Sequence, residues 1–323
     1  MVKAMRIHKA GGPEVLVWED YDPGLPGRGE VLVRNHAIGL NFLDTYFRSG
    51  RYLHPTPFVP GSEGAGVIEA VGPDVTQFAA GDRVAYVDPL GAYAESVIRP
   101  ADRLMHLPEY IDFSLAAATM LKGITAEYLV RRTYPVQQGD TILVHAAAGG
   151  VGQILCQWAA AIGATVIGTV GSAAKRDVAE RVGCTHVIVT AEQDFVAATR
   201  DITGGEGVAV AYDGVGADTF EGSLQCVRTR GLVAAFGAAS GPIPMLDVAS
   251  LGGLGSIYVT RPAINAYTRN ARELGEAAAA LFEMVSSGRI KISSPRIYRL
   301  ADAALAHSDL EGRRTTGSAI FVP

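Results

Sequence analysis

His145-Ala-Ala-Ala-Gly149-Gly150-Val151-Gly152 joins an apolar run, Thr141–Ala146, to a segment with helical spacing, Val151–Ile162. Val151, Ile154, Leu155, Trp158 and Ile162 recur on one helical face, and a second apolar run, Ala164–Val170, follows. Strand, glycine turn, helix, strand is a βαβ unit, the context a dinucleotide-binding turn requires. Small residues let the backbone approach a pyrophosphate, while the unpaired N–H groups and the dipole of the following helix favour its charge. Ala147 stands at the first position of G-x-G-x-x-G, ahead of Gly149 and Gly152. Without its context the segment reads equally as a turn that packs helix on strand; its place between two strands favours the nucleotide.

No Asp, Glu, Lys or Arg occurs between Asp140 and Lys175, a length able to span a bilayer. Six glycines interrupt the stretch, from Gly149 to Gly171, with Gln153 and Gln157 inside it, so a buried βαβ unit is expected and no membrane contact. Further strands are predicted at His186–Val189, Val208–Asp213, Leu232–Phe236 and Ser256–Val259, giving about six parallel strands in a doubly wound sheet. Before this region the grammar differs. Short strands are predicted at Ala4–His8, Val15–Tyr21, Glu30–Leu40, Gly66–Val71, Arg83–Val87 and Ala92–Ile98, as in an irregular barrel or sandwich. After Pro262 come a helix, Arg272–Ser286, and two strands, Arg296–Leu300 and Ser318–Val322. The predicted domains are residues 1–124, 125–262, and 263–323, the last completing the first.

With 323 residues, 48% hydrophobic content and a net charge of −5, the chain suits two globular cores. The charge disfavours nucleic acid or an anionic membrane as partner. Met1-Val-Lys-Ala-Met-Arg lacks the apolar run of a secretory signal, and Cys156, Cys184 and Cys226 lack CxxC spacing, so a cytoplasmic address and reduced, buried thiols are expected.

An NAD-binding fold usually ends its second strand on an acid that binds the ribose 2′-hydroxyl. Here Val170 runs into Gly171-Ser172-Ala-Ala-Lys175-Arg176, a hydroxyl and two cations suited to a 2′-phosphate, which points to NADPH. The alternative is that both cations are solvated charges on a helix's first turn.

Asn41-Phe-Leu-Asp44-Thr-Tyr46-Phe-Arg48-Ser-Gly50-Arg-Tyr52, Leu121-Lys122-Gly123-Ile-Thr125, Ala146–Gly152, Tyr258-Val-Thr-Arg261-Pro262 and Arg313-Arg-Thr-Thr-Gly317-Ser together resemble the quinone oxidoreductase (zeta-crystallin-like) family, zinc-independent medium-chain dehydrogenase/reductases. The resemblance implies an α/β protein with a GroES-like, β-barrel-type catalytic domain and a doubly wound Rossmann domain, a cleft holding NADPH, and a homodimer. It also implies a cofactor set of Asn41, Tyr46, Thr125, Gly149, Gly150, Val151, Gly152, Ser172, Lys175, Phe236, Gly237, Arg261 and Arg313, with Asn41, Tyr46 and Tyr52 handling the substrate. Tyr46 and Tyr52 equally suit packing in a small β-domain. Thr190 and Ala238 depart from the family's usual tyrosine and asparagine, which puts adenine stacking in doubt.

Zinc-dependent relatives have a cysteine near position 41 and a histidine–glutamate pair near position 62; this chain has Asn41 and Gly61-Ser62-Glu63. An amide and a hydroxyl are poor zinc ligands, so no metal is expected. The seven histidines show no paired spacing, and His145, beside the turn, reads as strand-end packing. What remains is hydride or electron donation from nicotinamide to an acceptor already electrophilic, a quinone or an α,β-unsaturated aldehyde or ketone. Asn41 or Tyr52 is expected to bond a developing oxyanion. Outside enzymes, the resemblance also admits an NADPH-binding structural or RNA-binding protein.

Overall fold

Strands buried on both faces need a near-continuous apolar run, and Val208–Asp213 has one: all six residues are buried and only the last, Asp213, is charged. In the computed structural model, which describes residues 1–323, this strand lies inside a six-stranded parallel sheet. Its strands are β1 (Thr141–Val144), β2 (Thr165–Val170), β3 (His186–Val189), β4 (Val208–Asp213), β5 (Val227–Ala235) and β6 (Tyr258–Thr260). Their spatial order is β3-β2-β1-β4-β5-β6, every pair parallel. That order reverses direction between β1 and β4, the switch point where doubly wound sheets bind ligands. The helix Gly150–Ile162 crosses from β1 to β2 and ends on Gly163, whose φ of 98° favours glycine. The sheet belongs to a compact unit of Lys122–Tyr267 and Ala279–Lys291.

The other unit comprises Met1–Leu121, Thr268–Ala278 and Ile292–Pro323. Its seven-stranded sheet is organised on the long strand Glu30–Leu40, which pairs antiparallel with Glu63–Val71, Ser96–Pro100 and Ala319–Val322. The C-terminal strand therefore rejoins the first residues' sheet, Ile320 facing Gly39. The core beneath it includes Met5, Ile7, Val33, Ile38, Tyr93 and Phe321.

Two local readings change. The strand predicted over Ala92–Ile98 is Ser96–Pro100; before it, Ala94 makes only an isolated antiparallel bridge to Ala4, and Asn35 Nδ2 donates to the carbonyls of Ala92 (3.1 Å) and Ala94 (2.8 Å). Three helices also stand in stretches with no helix predicted: Phe42–Arg48, Phe113–Tyr128 and Ala303–Glu311. No helix is long and apolar enough to cross a membrane.

A Cβ on Gly152 would lie 2.3 Å from the Ala146 carbonyl oxygen and 2.9 Å from Ala147 Cα, so the helix closes on the turn only as glycine. At Gly275, in the helix Ala271–Ser286, nothing lies within 4 Å. Gly152→Ala is expected to destabilise by about 1–3 kcal/mol, and Gly275→Ala to stabilise by about 0.5–1 kcal/mol. Denaturant melts of both variants check the contrast.

Candidate functional site

In a parallel sheet every carboxyl end faces the same way, so the segments leaving β1, β2, β4, β5 and β6 gather at one edge. Four of them carry predicted residues: Gly149–Gly152 after β1, Ser172 and Lys175 after β2, Phe236 and Gly237 after β5, and Arg261 after β6. The first helical bond runs from Gln153 N–H to Gly149 C=O (2.9 Å), which leaves the amides of Gly150, Val151 and Gly152 as the helix's N-terminal donors. This small-residue cradle fits a pyrophosphate. Between Val170 and Lys175 there is no acid, Ser172 is exposed and Lys175 half-buried. Arg176 Nη1 donates to the Val187 carbonyl (3.2 Å). Thr190 bonds back to the Val170 carbonyl through its backbone N–H and its hydroxyl.

A buried chain of polar groups holds the turn from behind. Asp213, at the end of β4, accepts from the amides of Val215 and Gly216 and the hydroxyls of Thr219 and Ser223. Since Ser223 gives its proton to Asp213 (2.8 Å), His145 Nε2 donates to Ser223 Oγ (3.0 Å) and His145 Nδ1 accepts from Thr169 Oγ1 (3.0 Å). Burial keeps this imidazole neutral against the pull of Asp213. His145 thereby ties β1, β2 and the helix Phe220–Cys226 together behind the turn.

Thr125 and Arg261, predicted together, meet at Tyr128. The Tyr128 hydroxyl shares a hydrogen bond with Thr125 and lies near the Arg261 charge; burial pushes it up to about 12. Its ring stacks on Tyr267 at 4.4 Å, and Arg261 Nη1 donates to the Ala235 carbonyl (2.9 Å). Sequence reasoning missed Tyr128 and Tyr267; the one available signal was the i, i+3 spacing of Thr125 and Tyr128, usable only once the helix Phe113–Tyr128 is recognised.

In the other unit, one segment carries Asn41, Tyr46 and Tyr52. Asn41 starts the helix Phe42–Arg48, with its N–H donating to Asp44 Oδ2 (2.9 Å), one half of a capping box. Tyr46 and Tyr52 meet edge to face at 5.5 Å, and Arg51 lies over the Tyr46 ring at 4.8 Å. Tyr46 is buried and Tyr52 is 38% exposed. Arg313 is exposed and left-handed (φ 57°) after the helix Ala303–Glu311.

Where zinc enzymes place thiolate and imidazole, hydrogen bonds stand instead. Asn41 Nδ2 donates to Glu63 Oε1 (2.8 Å), and Ser62 Oγ donates to Asp44 Oδ1 (2.6 Å). The network continues inward, unread from the sequence because its members are far apart in the chain. Tyr93 donates to Asp44 (2.8 Å), His307 Nε2 donates to the Tyr93 oxygen (3.0 Å), and Arg48 donates to His307 Nδ1 (3.2 Å) and to Glu311 (2.9 and 2.7 Å). Burial pushes the Asp44 carboxyl up to about 6, against the hydrogen bonds from Ser62, Tyr93 and Asn41. Burial, with the Arg48 charge beside it, takes His307 down to about 3.

The comparisons with known proteins agree with this geometry over the whole chain. Residues 27–109 match the alcohol dehydrogenase GroES-like domain family and residues 150–283 the zinc-binding dehydrogenase family. The chain is 49% identical to the quinone oxidoreductase of Pseudomonas aeruginosa, covering 100% of both. The chain belongs to the quinone oxidoreductase family. It is also 46% identical to the 2-haloacrylate reductase of a Burkholderia species, over 100% of this chain and 99% of that one. The solved structure of Escherichia coli quinone oxidoreductase complexed with NADPH superposes with a TM-score of 0.97 at 46% identity, covering 99% of this chain and 100% of that one. The family expectation is met, and with it the two-part GroES-like and Rossmann architecture.

Unfolded, His307 takes a proton near pH 6.5, whereas folded it resists until about 3, so its contribution to stability is complete above 6.5 and is lost as the pH falls toward 3. Asp44 acts oppositely: its contribution is complete below 3.8 and is lost as the pH rises through about 6. His307→Gln keeps a donor for Tyr93 and an acceptor for Arg48 and removes only the first effect. Between pH 6 and 4 its stability relative to the parent is expected to improve by about 1.4 kcal/mol per pH unit. Denaturant melts across that range check this; a constant difference contradicts it.

Proposed function

We propose that this protein is an NADPH-dependent quinone reductase, working by metal-free hydride or electron transfer. The observation that carries the reading is the small-residue turn at the β1/β4 switch point, together with Ser172 and Lys175 after β2 with no acid between them. Its relatives add support: one is called quinone oxidoreductase, and another was solved with NADPH. When bound, NADPH supplies the reducing equivalents. The amides of Gly150, Val151 and Gly152 bind the pyrophosphate; Ser172 and Lys175 select the 2′-phosphate. Thr125, Phe236, Gly237, Arg261 and Arg313 complete the cofactor contacts, with Asn41 and Tyr46.

Asn41, Tyr46 and Tyr52 orient a flat acceptor. A carboxamide has two N–H groups; Glu63 engages one on Asn41, and the second, with the Tyr52 hydroxyl, stabilises negative charge developing on the acceptor oxygen. The relative called 2-haloacrylate reductase favours a second reading, reduction of an activated carbon–carbon double bond at the same groups. We further propose a cytoplasmic homodimer. All three thiols are free and buried, as suits a reducing compartment, and the edge strand β6 presents Tyr258 at 62% exposure as a surface for a second copy.

Steady-state rates followed by NADPH absorbance, with a short benzoquinone, a 2-alkenal and 2-chloroacrylate, test the acceptor class. The quinone is expected to give the highest kcat/KM; a preference for either alkene instead supports the second reading. Lys175→Glu is expected to raise KM for NADPH at least tenfold while changing that for NADH by less than about twofold, since a charge-assisted phosphate contact contributes on the order of 1.5–3 kcal/mol. Equal effects on both cofactors refute the phosphate role.

A further inference from the structure

Glu63 is fully buried, and both of its carboxylate oxygens are used. Oε1 accepts from Asn41 Nδ2 at 2.8 Å and Oε2 from the backbone N–H of Leu121 at 2.7 Å. Leu121 lies inside the helix Phe113–Tyr128, where an amide ordinarily bonds to the carbonyl four residues back. A carboxylate at that amide is a bond the helix does not itself require. The strand alongside is kept bare for it: a Cβ on Gly39 would stand 2.2 Å from Glu63 Oε1 and 2.4 Å from its Cδ. Burying a carboxylate is costly unless it is hydrogen-bonded, so an acid with a reserved space and two specific donors is an expensive way to fill a core position.

What an acid provides here is one-sided chemistry. An asparagine side chain turned by 180° exchanges its N–H groups for its carbonyl with little change of shape. A carboxylate only accepts, so it admits the N–H side of Asn41 and rejects the other.

We infer that Glu63 is a positioning residue for the reduction: it fixes the carboxamide of Asn41 in a single orientation and anchors it to the helix at Leu121, one turn before Thr125. This rests on the proposed role of Asn41 as a donor to the acceptor oxygen. The role inferred for Glu63 is exerted through Asn41.

Two substitutions disturb the arrangement by different means. Glu63→Gln keeps the shape but sets an amide N–H against either the Asn41 or the Leu121 donor. Gly39→Ala changes no polar group and displaces the carboxylate sterically. Each is expected to lower kcat with a benzoquinone about tenfold, the scale of one misplaced transition-state hydrogen bond. The Kd for NADPH, read by fluorescence titration, is expected to stay within about twofold. In an Asn41→Ala background neither substitution is expected to lower kcat further, which a general loss of packing would do.

The outcomes separate the inference from the reading beneath it. If Asn41→Ala lowers kcat while both Glu63→Gln and Gly39→Ala leave it unchanged, the positioning role is overturned and the role of Asn41 stands. Equal losses in the presence and absence of Asn41 also overturn it, as a purely structural effect. If Asn41→Ala alone leaves kcat unchanged, the donor role of Asn41 falls, and this inference with it. Should Glu63→Gln fail to fold, Gly39→Ala decides.

Discussion

The closure of the helix Gly150–Ile162 onto the Ala146–Ala148 backbone is the constraint on which the rest depends. No side chain fits at Gly152, and that absence turns the helix's first amides into a polar concavity at the end of a buried sheet. The switch between β1 and β4 gives the concavity an open side. The carboxyl ends of the parallel strands bring Ser172, Lys175, Phe236, Gly237 and Arg261 to the same edge. Behind it, the Asp213–Ser223–His145–Thr169 chain fixes strand ends that apolar packing alone would leave free to slide. A buried chain in which every donor has its acceptor specifies one arrangement.

The unit that carries Asn41 solves a different problem. Where related folds hold a cation, this chain has Asn41, Ser62 and Glu63 in hydrogen bonds, and in the proposed reaction hydrogen bonds meet the acceptor's charge. Such bonds stabilise charge only if they are held in place beforehand. That requirement accounts for how much buried polar structure surrounds one asparagine: Glu63 on its carboxamide, Asp44 on its backbone N–H, then Tyr93, His307, Arg48 and Glu311 in turn. Asp44 and His307 show the tension of this design, each held by burial toward its neutral form.

The parallel sheet was legible because its strands are continuously apolar and its turns rich in glycine; His186–Val189 and Val208–Asp213 have the bounds their residues suggest. Glu30–Leu40 was legible too, through β-branched residues between turn signals. The helix Phe113–Tyr128 was not. Its alanines and its buried threonines, Thr119 and Thr125, blur the amphipathic period, so Tyr128 was never placed beside Arg261. The strand expected from Ala92 begins only at Ser96, and the residues before it are held by a single bridge to Ala4 and by one distant side chain, Asn35, on their carbonyls. Local pattern carries no trace of such a partner. For the same reason Glu63 appeared in the sequence as an acid without a metal, whereas in the fold it joins residues 22 and 58 positions away.

In the proposed function the turn after β1 and the cation after β2 together hold a 2′-phosphorylated nicotinamide dinucleotide. Calorimetric titration of the purified protein with NADPH and with NADH tests it most directly. The account predicts one NADPH site per chain, at least tenfold tighter than NADH, with the preference shrinking as salt screens the phosphate contact. Equal affinity for the two nucleotides, or no affinity for either, would contradict it.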